Sequence, residues 1–305
     1  MRIFVTGASG WIGRSVTAEL VRRGIEVVGL ARSKESAEII QGLGGIAVTG
    51  DLADLSVVAD LTRESDGVIH LAFRHDLAFS GGFAEAISSD RAAVEAMAQP
   101  LMGSDKPFIA AAGLLGSGRI DGLKEDELIV VPPQFRGSSP FTRNSTGLYI
   151  LSLAGVGVRS AIVRFPPTVH GDGDRGFVKN LHNLALSNGH SSFVGDGVNR
   201  WSAVHISDAA SLLAKAVQNV SPGTILHAVG EEGVPFREIA SAIGGTLDLP
   251  TISITQEEAQ SKLSYLATFA AMDGFAHSTA TRIEIEWQPT GPTLLEDINS
   301  GVYIK

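Results

Sequence analysis

The stretch "RIFVTGASGWIG" (2–13) decides the fold. It opens with a short apolar run that reads as a buried strand and breaks at Thr6 and Gly7. Glycines follow at 7, 10 and 13, and "IGRSVTAELVRRG" (12–24) then carries apolar residues at helical spacing up to a closing glycine. A strand, a glycine turn and a helix in that order have a physical use. Gly7 permits the tight turn, Gly10 lets the backbone approach a pyrophosphate, and Gly13 allows close packing of helix on strand. The free N–H groups of the helix's first turn then face the anion. The same glycines in another context would be weak evidence, and the alternative is a purely structural turn.

The pattern that begins there continues. "EVVGLAR" (26–32), "GIAVTGDL" (45–52), "DGVIHLAF" (66–73), "KPFIAAAG" (106–113) and "VRSAIVRF" (158–165) read as further strands, with helical segments between them such as 33–41. Strands alternating with helices predict a doubly wound parallel sheet, a Rossmann-type α/β fold covered on both faces. Beyond Phe165 the rhythm changes. Residues 166–200 read as loop and helix, "WSAVHISDAASLLAKAVQN" (201–219) as a strand end running into a helix, "GTILHAVG" (223–230) as a strand, and 235–247 as an amphipathic helix. We therefore expect a dinucleotide-binding domain over 1–165, to which 201–230 returns. A smaller substrate lobe would come from 166–200 and 231–305.

Composition excludes several classes. The chain has 305 residues with 44% apolar and 19% charged, a balance suited to a soluble globular protein. Its formal charge of −9, without a basic run, argues against a nucleic-acid partner. There are no cysteines, so disulfides, thiolate metal sites and cysteine nucleophiles are out. No apolar stretch approaches the roughly 20 residues of a membrane span. The expectation is a cytoplasmic protein with a small-molecule substrate, and a homodimer is the default for such a fold.

The end of the second strand selects the nucleotide. An acidic residue there commonly binds the ribose hydroxyls of NAD. Here the residues are Ala31, Arg32 and Ser33. Arg32 and Ser33 suit a 2′-phosphate, so NADP is expected over NAD, although an ordinary solvated arginine would look the same. "GDLAD" (50–54) puts Asp51 at the sheet's carboxyl edge, where it could meet an adenine amino group or cap the next helix.

Together "TGASGWIG", "GDLADL", "GVIHLAF", "VRFPPTVHGDG" (164–173) and "AVHISDAA" (203–210) resemble the extended short-chain dehydrogenase/reductases, the NAD-dependent epimerase/dehydratases. The resemblance implies a cofactor site formed by Gly7, Ser9, Gly10, Trp11, Ile12, Gly13, Asp51, Leu52, Leu71 and Ala72, with Pro166 and Val169 beside the nicotinamide. It also implies a Ser or Thr after the fifth strand and a Tyr-x-x-x-Lys pair on the next helix. The chain departs from that pattern. The serine position reads Ala111 or Ala112, and the pair falls on Ser139 and Arg143. The three tyrosines, Tyr149, Tyr265 and Tyr303, have no lysine four residues on.

Arg143 could keep the lysine's hold on ribose hydroxyls, but it stays protonated and is a poor proton relay. Ser139 could donate a hydrogen bond, and Tyr149 could be a displaced acid or simply a structural tyrosine. Among groups that titrate near neutrality, His75, beside Asp76 in the loop after the fourth strand, and His170 are the candidates for touching substrate or relaying protons, and His75 joins Arg143 and Ser139 as a candidate catalytic residue. The alternatives are a loop-capping bond for His75 and a contact between lobes for His170. His205 reads as structural. Arg200 in "GVNRWSAVH" matches a place where relatives contact anionic or sugar-bearing substrates. No histidine spacing suits a metal, and "HGDGDRG" lacks the glutamate that closes a calcium loop. Three functions follow: an NADP-dependent oxidoreductase with a non-standard proton donor, an NADP(H)-binding sensor without turnover, or a sugar-nucleotide epimerase.

Overall fold

The structure, a computed structural model, describes residues 1–79, 81–114, 121–129 and 144–304. The chain alternates β1 (Arg2–Thr6), α1 (Trp11–Arg22), β2 (Glu26–Ala31), α2 (Lys34–Gly42), β3 (Ile46–Thr49), α3 (Leu55–Arg63) and β4 (Gly67–His70). The short α4 (His75–Phe79) and the long α5 (Phe83–Leu101) lead to β5 (Pro107–Gly113), and α6 (Asn144–Ser152) precedes β6 (Arg159–Phe165). Each strand expected in the first half forms. The third stops at Thr49 instead of residue 52, because Asp51 and Asp54 turn the chain there: the Asp51 N–H donates to Asp54 Oδ2 at 2.8 Å, and Asp51 Oδ1 accepts from the Ala53 N–H at 2.9 Å.

The chain continues through β7 (Thr168–His170), α7 (Phe177–Asn188), β8 (Ser191–Val194), β9 (Arg200–His205), α8 (Ile206–Asn219) and β10 (Thr224–His227). It ends with β11 (Glu231–Pro235), α9 (Phe236–Leu247), β12 (Thr251–Ile254), α10 (Gln256–Leu263), α11 (Ala267–Ala270), α12 (Thr279–Glu284) and α13 (Leu294–Asn299). β7 and β8 fall in a segment read from sequence as loop and helix. Runs of three and four residues carry too little period to reveal a strand.

Among the described residues seven strands form one parallel sheet in the order β10-β6-β5-β4-β1-β2-β3. β1 lies between β2 and β4, so the chain leaves on one side of β1 and returns on the other. That reversal opens a crevice at the carboxyl ends of β1 and β4, the place where such sheets bind ligands.

One face of the sheet packs under α1 and α8 through Val16, Leu20, Leu212 and Leu213, and Trp287 joins them. The other face packs under α3, α5 and α6 through Val58, Val94, Met97 and Ile150. A separate core gathers α7, α9, α10 and α13 around Trp201 and Phe236.

A buried histidine couples the fold to pH. His182 is stacked on Tyr303 with its Nδ1 unpartnered, and burial pushes its pKa down to about 4. A folded-state pKa below the unfolded value of 6.5 favours the folded state above 6.5, and that contribution is lost as pH falls from 6.5 to about 4. The loss is about 3 kcal/mol. In His182→Phe, the difference in unfolding free energy between neutral pH and pH about 4 should shrink by that amount, as measured by urea titration at both values.

Candidate active site

The glycine loop is built as its spacing requires. Gly7 has φ of +72° between β1 and α1, and a Cβ there would sit 2.8 Å from the Ala72 nitrogen. A Cβ on Gly13 would lie 1.9 Å from the Gly7 carbonyl oxygen, so helix and turn meet with no room for a side chain. Gly10 is the N-cap of α1, with no side chain bonding the first turn and no acid in it. The free N–H groups of that turn are left for an anion.

The loop forms the floor of a cleft of about 510 Å³. Gly7, Ser9, Gly10, Trp11, Ile12, Gly13, Arg32, Leu52, Leu71, Ala72, Pro166 and Val169, twelve residues expected to hold a cofactor, all line it, and His75 is at its rim. Asp51 and Ser33 are not in the lining. The Ser33 oxygen caps α2 by accepting from the Ser36 N–H at 3.1 Å, and Ser36 takes the place facing the cleft. Trp11 closes the far wall, its indole N–H donating to the Val169 carbonyl at 2.8 Å.

One end of the cleft is cationic. Arg32, at the end of β2, and Arg74, just before α4, flank Asp76. Asp76 accepts from Arg74 Nε and Nη2 at 3.1–3.3 Å and lies 3.8 Å from Arg32. Arg74 holds the Asp76 carboxyl below the usual carboxylate range. His75 is an exposed residue between these two, edge-on to Phe73 at 5.1 Å. Its position ties it to the Arg32 end of the cleft.

A second cavity, of about 140 Å³, lies across the carboxyl ends of β4, β5 and β6. Its walls include Ala111 and Ala112, at the expected serine position, and Thr146, Leu148 and Ile150 of α6. Polar groups enter from two strands and a helix, Arg164 of β6 and the pair of His70 on β4 with Asp90 on α5. His70 joins Asp90 at 3.2 Å and Thr6 Oγ1 at 2.7 Å, and that hydroxyl accepts from the Ala72 N–H. The chain of bonds fixes the strand end behind Gly7.

Other expected residues lie elsewhere. His170 is fully buried and lines neither cavity. Its Nδ1 meets Asp297 at 2.6 Å, its ring stands edge-on to His205 at 5.5 Å, and burial lowers its pKa. It joins β7 to α13, a contact between elements. His205 caps α8, its Nδ1 accepting from the Ser207 N–H. Arg200 lines an open depression apart from the cleft, bonds Asp273 through Nε and Nη2 and covers the Phe275 ring. Tyr149 faces away from the cavity, under Arg91 at 3.9 Å. Ser139 and Arg143 lie outside the described residues.

Sequence reading missed Arg74, Arg164 and Thr146. The arginine inside the apolar run "AIVRF" was a usable signal, since a charge in a doubly covered strand needs a reason. Nothing local marks the other two. No described helix is long and apolar enough to cross a membrane, and among the described residues no group of three or more His, Asp or Glu could hold a metal.

The model of the NAD-dependent epimerase/dehydratase family matches residues 3–93. An uncharacterized protein of Schizosaccharomyces pombe is 40% identical over 306 residues, covering 99% of this chain and 100% of that one. The chain belongs to the NAD-dependent epimerase/dehydratase family. Two further relatives are a 4-hydroxy-2-methyl-3-oxo-4-farnesyl-3,4-dihydroquinoline-1-oxide ketoreductase of Stigmatella aurantiaca and a 2-alkyl-3-oxoalkanoate reductase of Stenotrophomonas maltophilia. They are 27% and 26% identical over 80% and 83% of this chain, and 72% and 77% of theirs. The UDP-glucose 4-epimerase of Thermotoga maritima, solved with UDP-glucose, superposes with a TM-score of 0.78 at 16% identity over 100% of this chain and 98% of that one. That likeness is one of fold.

Proposed function

We propose that the protein is an NADP(H)-dependent oxidoreductase that reduces the carbonyl group of small, largely apolar substrates. The observation that carries this reading is the pairing of two spaces at one sheet edge. A cleft over the glycine loop has two arginines at one end, and an apolar cavity lies beyond its other end. Bound NADPH would supply the hydride and water the proton taken up by the carbonyl oxygen, and the chain's work is to hold the cofactor and position the acceptor. The N–H groups of α1 take the pyrophosphate, Arg32 and Arg74 the 2′-phosphate, and Pro166 and Val169 the nicotinamide. Two relatives named as a ketoreductase and an oxoalkanoate reductase support a carbonyl acceptor. The leucine and isoleucine walls of the cavity do not suit a sugar nucleotide.

The test is titration with NADPH and NADH, followed by a cofactor-oxidation screen against ketones, aldehydes and 3-oxo esters. Tighter NADPH binding with turnover is the expected result. Absence of binding by either cofactor would overturn the proposal. Tight binding with no turnover would favour a sensor, the reading suggested by a sequence with no Tyr-x-x-x-Lys pair.

His75 belongs, in this reading, to the cofactor end of the cleft. His75→Ala should leave kcat within about twofold, because an exposed rim residue contributes little beyond about 0.5 kcal/mol. Steady-state rates across pH 6 to 8 check this, and a large loss of kcat would make His75 the proton donor after all.

A further inference from the structure

The 140 Å³ cavity holds a buried cation that no carboxylate among the described residues contacts in an ion pair. Arg164 is 3% exposed on the penultimate position of β6. Its Nη1 donates to Nε2 of His227, and it has no other hydrogen bond or ion pair among the described residues. His227 is no counter-ion. Burial pushes its pKa down to about 4, and its Nδ1–H donates to the His277 carbonyl at 2.7 Å, so Nε2 is the bare acceptor of a neutral ring.

The nearest carboxylates are occupied. Glu125 accepts from the N–H and hydroxyl of Thr281, and Glu127 from the Lys124 N–H. Both act on Arg164 only through space. Asp90 is bonded to His70 of β4, two strand spacings from β6, or roughly 10 Å. The segments 115–120 and 130–143 contain no Asp or Glu.

A second polar group is in the same position. Thr146 is 3% exposed, lines the cavity, and its Oγ1 has no hydrogen-bond partner. A buried hydroxyl with no partner and a buried guanidinium with one neutral partner and no contact ion pair are each costly, and completion by a ligand is one physical reason for a fold to keep them. Beyond these two the wall is apolar along Ala111, Ala112, Leu148, Ile150, Leu151 and Ile162, with the mutually bonded His70 and Asp90 at its β4 end.

We infer that this cavity is a carboxylate subsite, in which the Arg164 guanidinium and the Thr146 hydroxyl hold the carboxylate of a short, apolar organic acid. Arginine matches a carboxylate with two parallel N–H bonds, and the apolar wall takes the alkyl part. Desolvation lowers the pKa of Arg164 to about 10, and a bound anion would reverse that loss. The acid binds whether or not the chain is an oxidoreductase. Its identification as the substrate, an oxo acid, rests on the function proposed above.

The test uses hexanoate and hexanamide as probes, titrated calorimetrically into the full chain at neutral pH, with NADPH titrated separately. Hexanoate should bind the wild type at least tenfold more tightly than hexanamide. Arg164→Met should abolish that preference while NADPH binding stays unchanged, and Arg164→Lys should restore part of it. If Arg164→Met fails to fold, Thr146→Val carries the test, with a several-fold loss for hexanoate and none for NADPH. Equal binding of the two probes, no binding of either, or a preference that survives in the variants would overturn the inference. Hexanoate preference in a protein that binds no NADPH would overturn the proposed function and leave the carboxylate subsite standing.

Discussion

Gly13→Ala is expected to abolish cofactor binding and to destabilise the chain by about 3 kcal/mol or more. The added Cβ would stand 1.9 Å from the Gly7 carbonyl oxygen, a backbone atom that no rotamer change can move. Relief requires α1 to lift from the turn, which moves the N–H groups of its first turn away from the position of a pyrophosphate. Gly7 cannot yield, since its own conformation is left-handed and its neighbour Ala72 is already close. Thermal melting and NADPH titration measure the two effects together. A variant that melts like the wild type and still binds NADPH would show that the loop tolerates a side chain and is not a close-approach turn.

Arg32→Ala should lower NADPH affinity by about 10- to 100-fold and leave NADH within about twofold, because one charge-assisted contact to a phosphate contributes roughly 1.5–3 kcal/mol. Arg74→Ala should act in the same direction, since Arg74 shares Asp76 with Arg32. Asp76→Ala should do the reverse and tighten NADPH several-fold. It removes an anion that now lies 3.8 Å from Arg32 and would repel a 2′-phosphate. Calorimetric titration of the three variants with both cofactors is the measurement. Equal losses for NADPH and NADH would mean that these arginines hold something common to both, and the NADP preference would fall.

Much of the cleft's lining could be read before folding. Twelve of the residues expected around the cofactor line one cleft, because a glycine turn and the strand ends on each side of it are local features. Ser33 caps α2 and Ser36 lines the cleft in its place: an N-cap serine and a cleft-facing serine occupy the same kind of sequence position, and only the bond from the Ser36 N–H distinguishes them. His170 and Arg200 had the residue types and loop positions of substrate contacts. Their partners, Asp297 and Asp273, lie 127 and 73 residues later, too far for any periodicity to reveal.

By itself the sequence determined the alternation of strand and helix, the glycine turn after β1, and the absence of any tyrosine with a lysine four residues on. Those follow from period, backbone freedom and residue identity, which act over a few neighbours. Tertiary structure alone decided which polar groups face empty space. Arg164 and Thr146 meet in one cavity because α6 packs across the neighbouring strands β5 and β6, while His170, with a more suggestive sequence context, is sealed against α13. Direction and partnership of a side chain are set by elements that come together only in the folded chain, and on this protein they separate the polar groups open to a ligand from those that hold the fold.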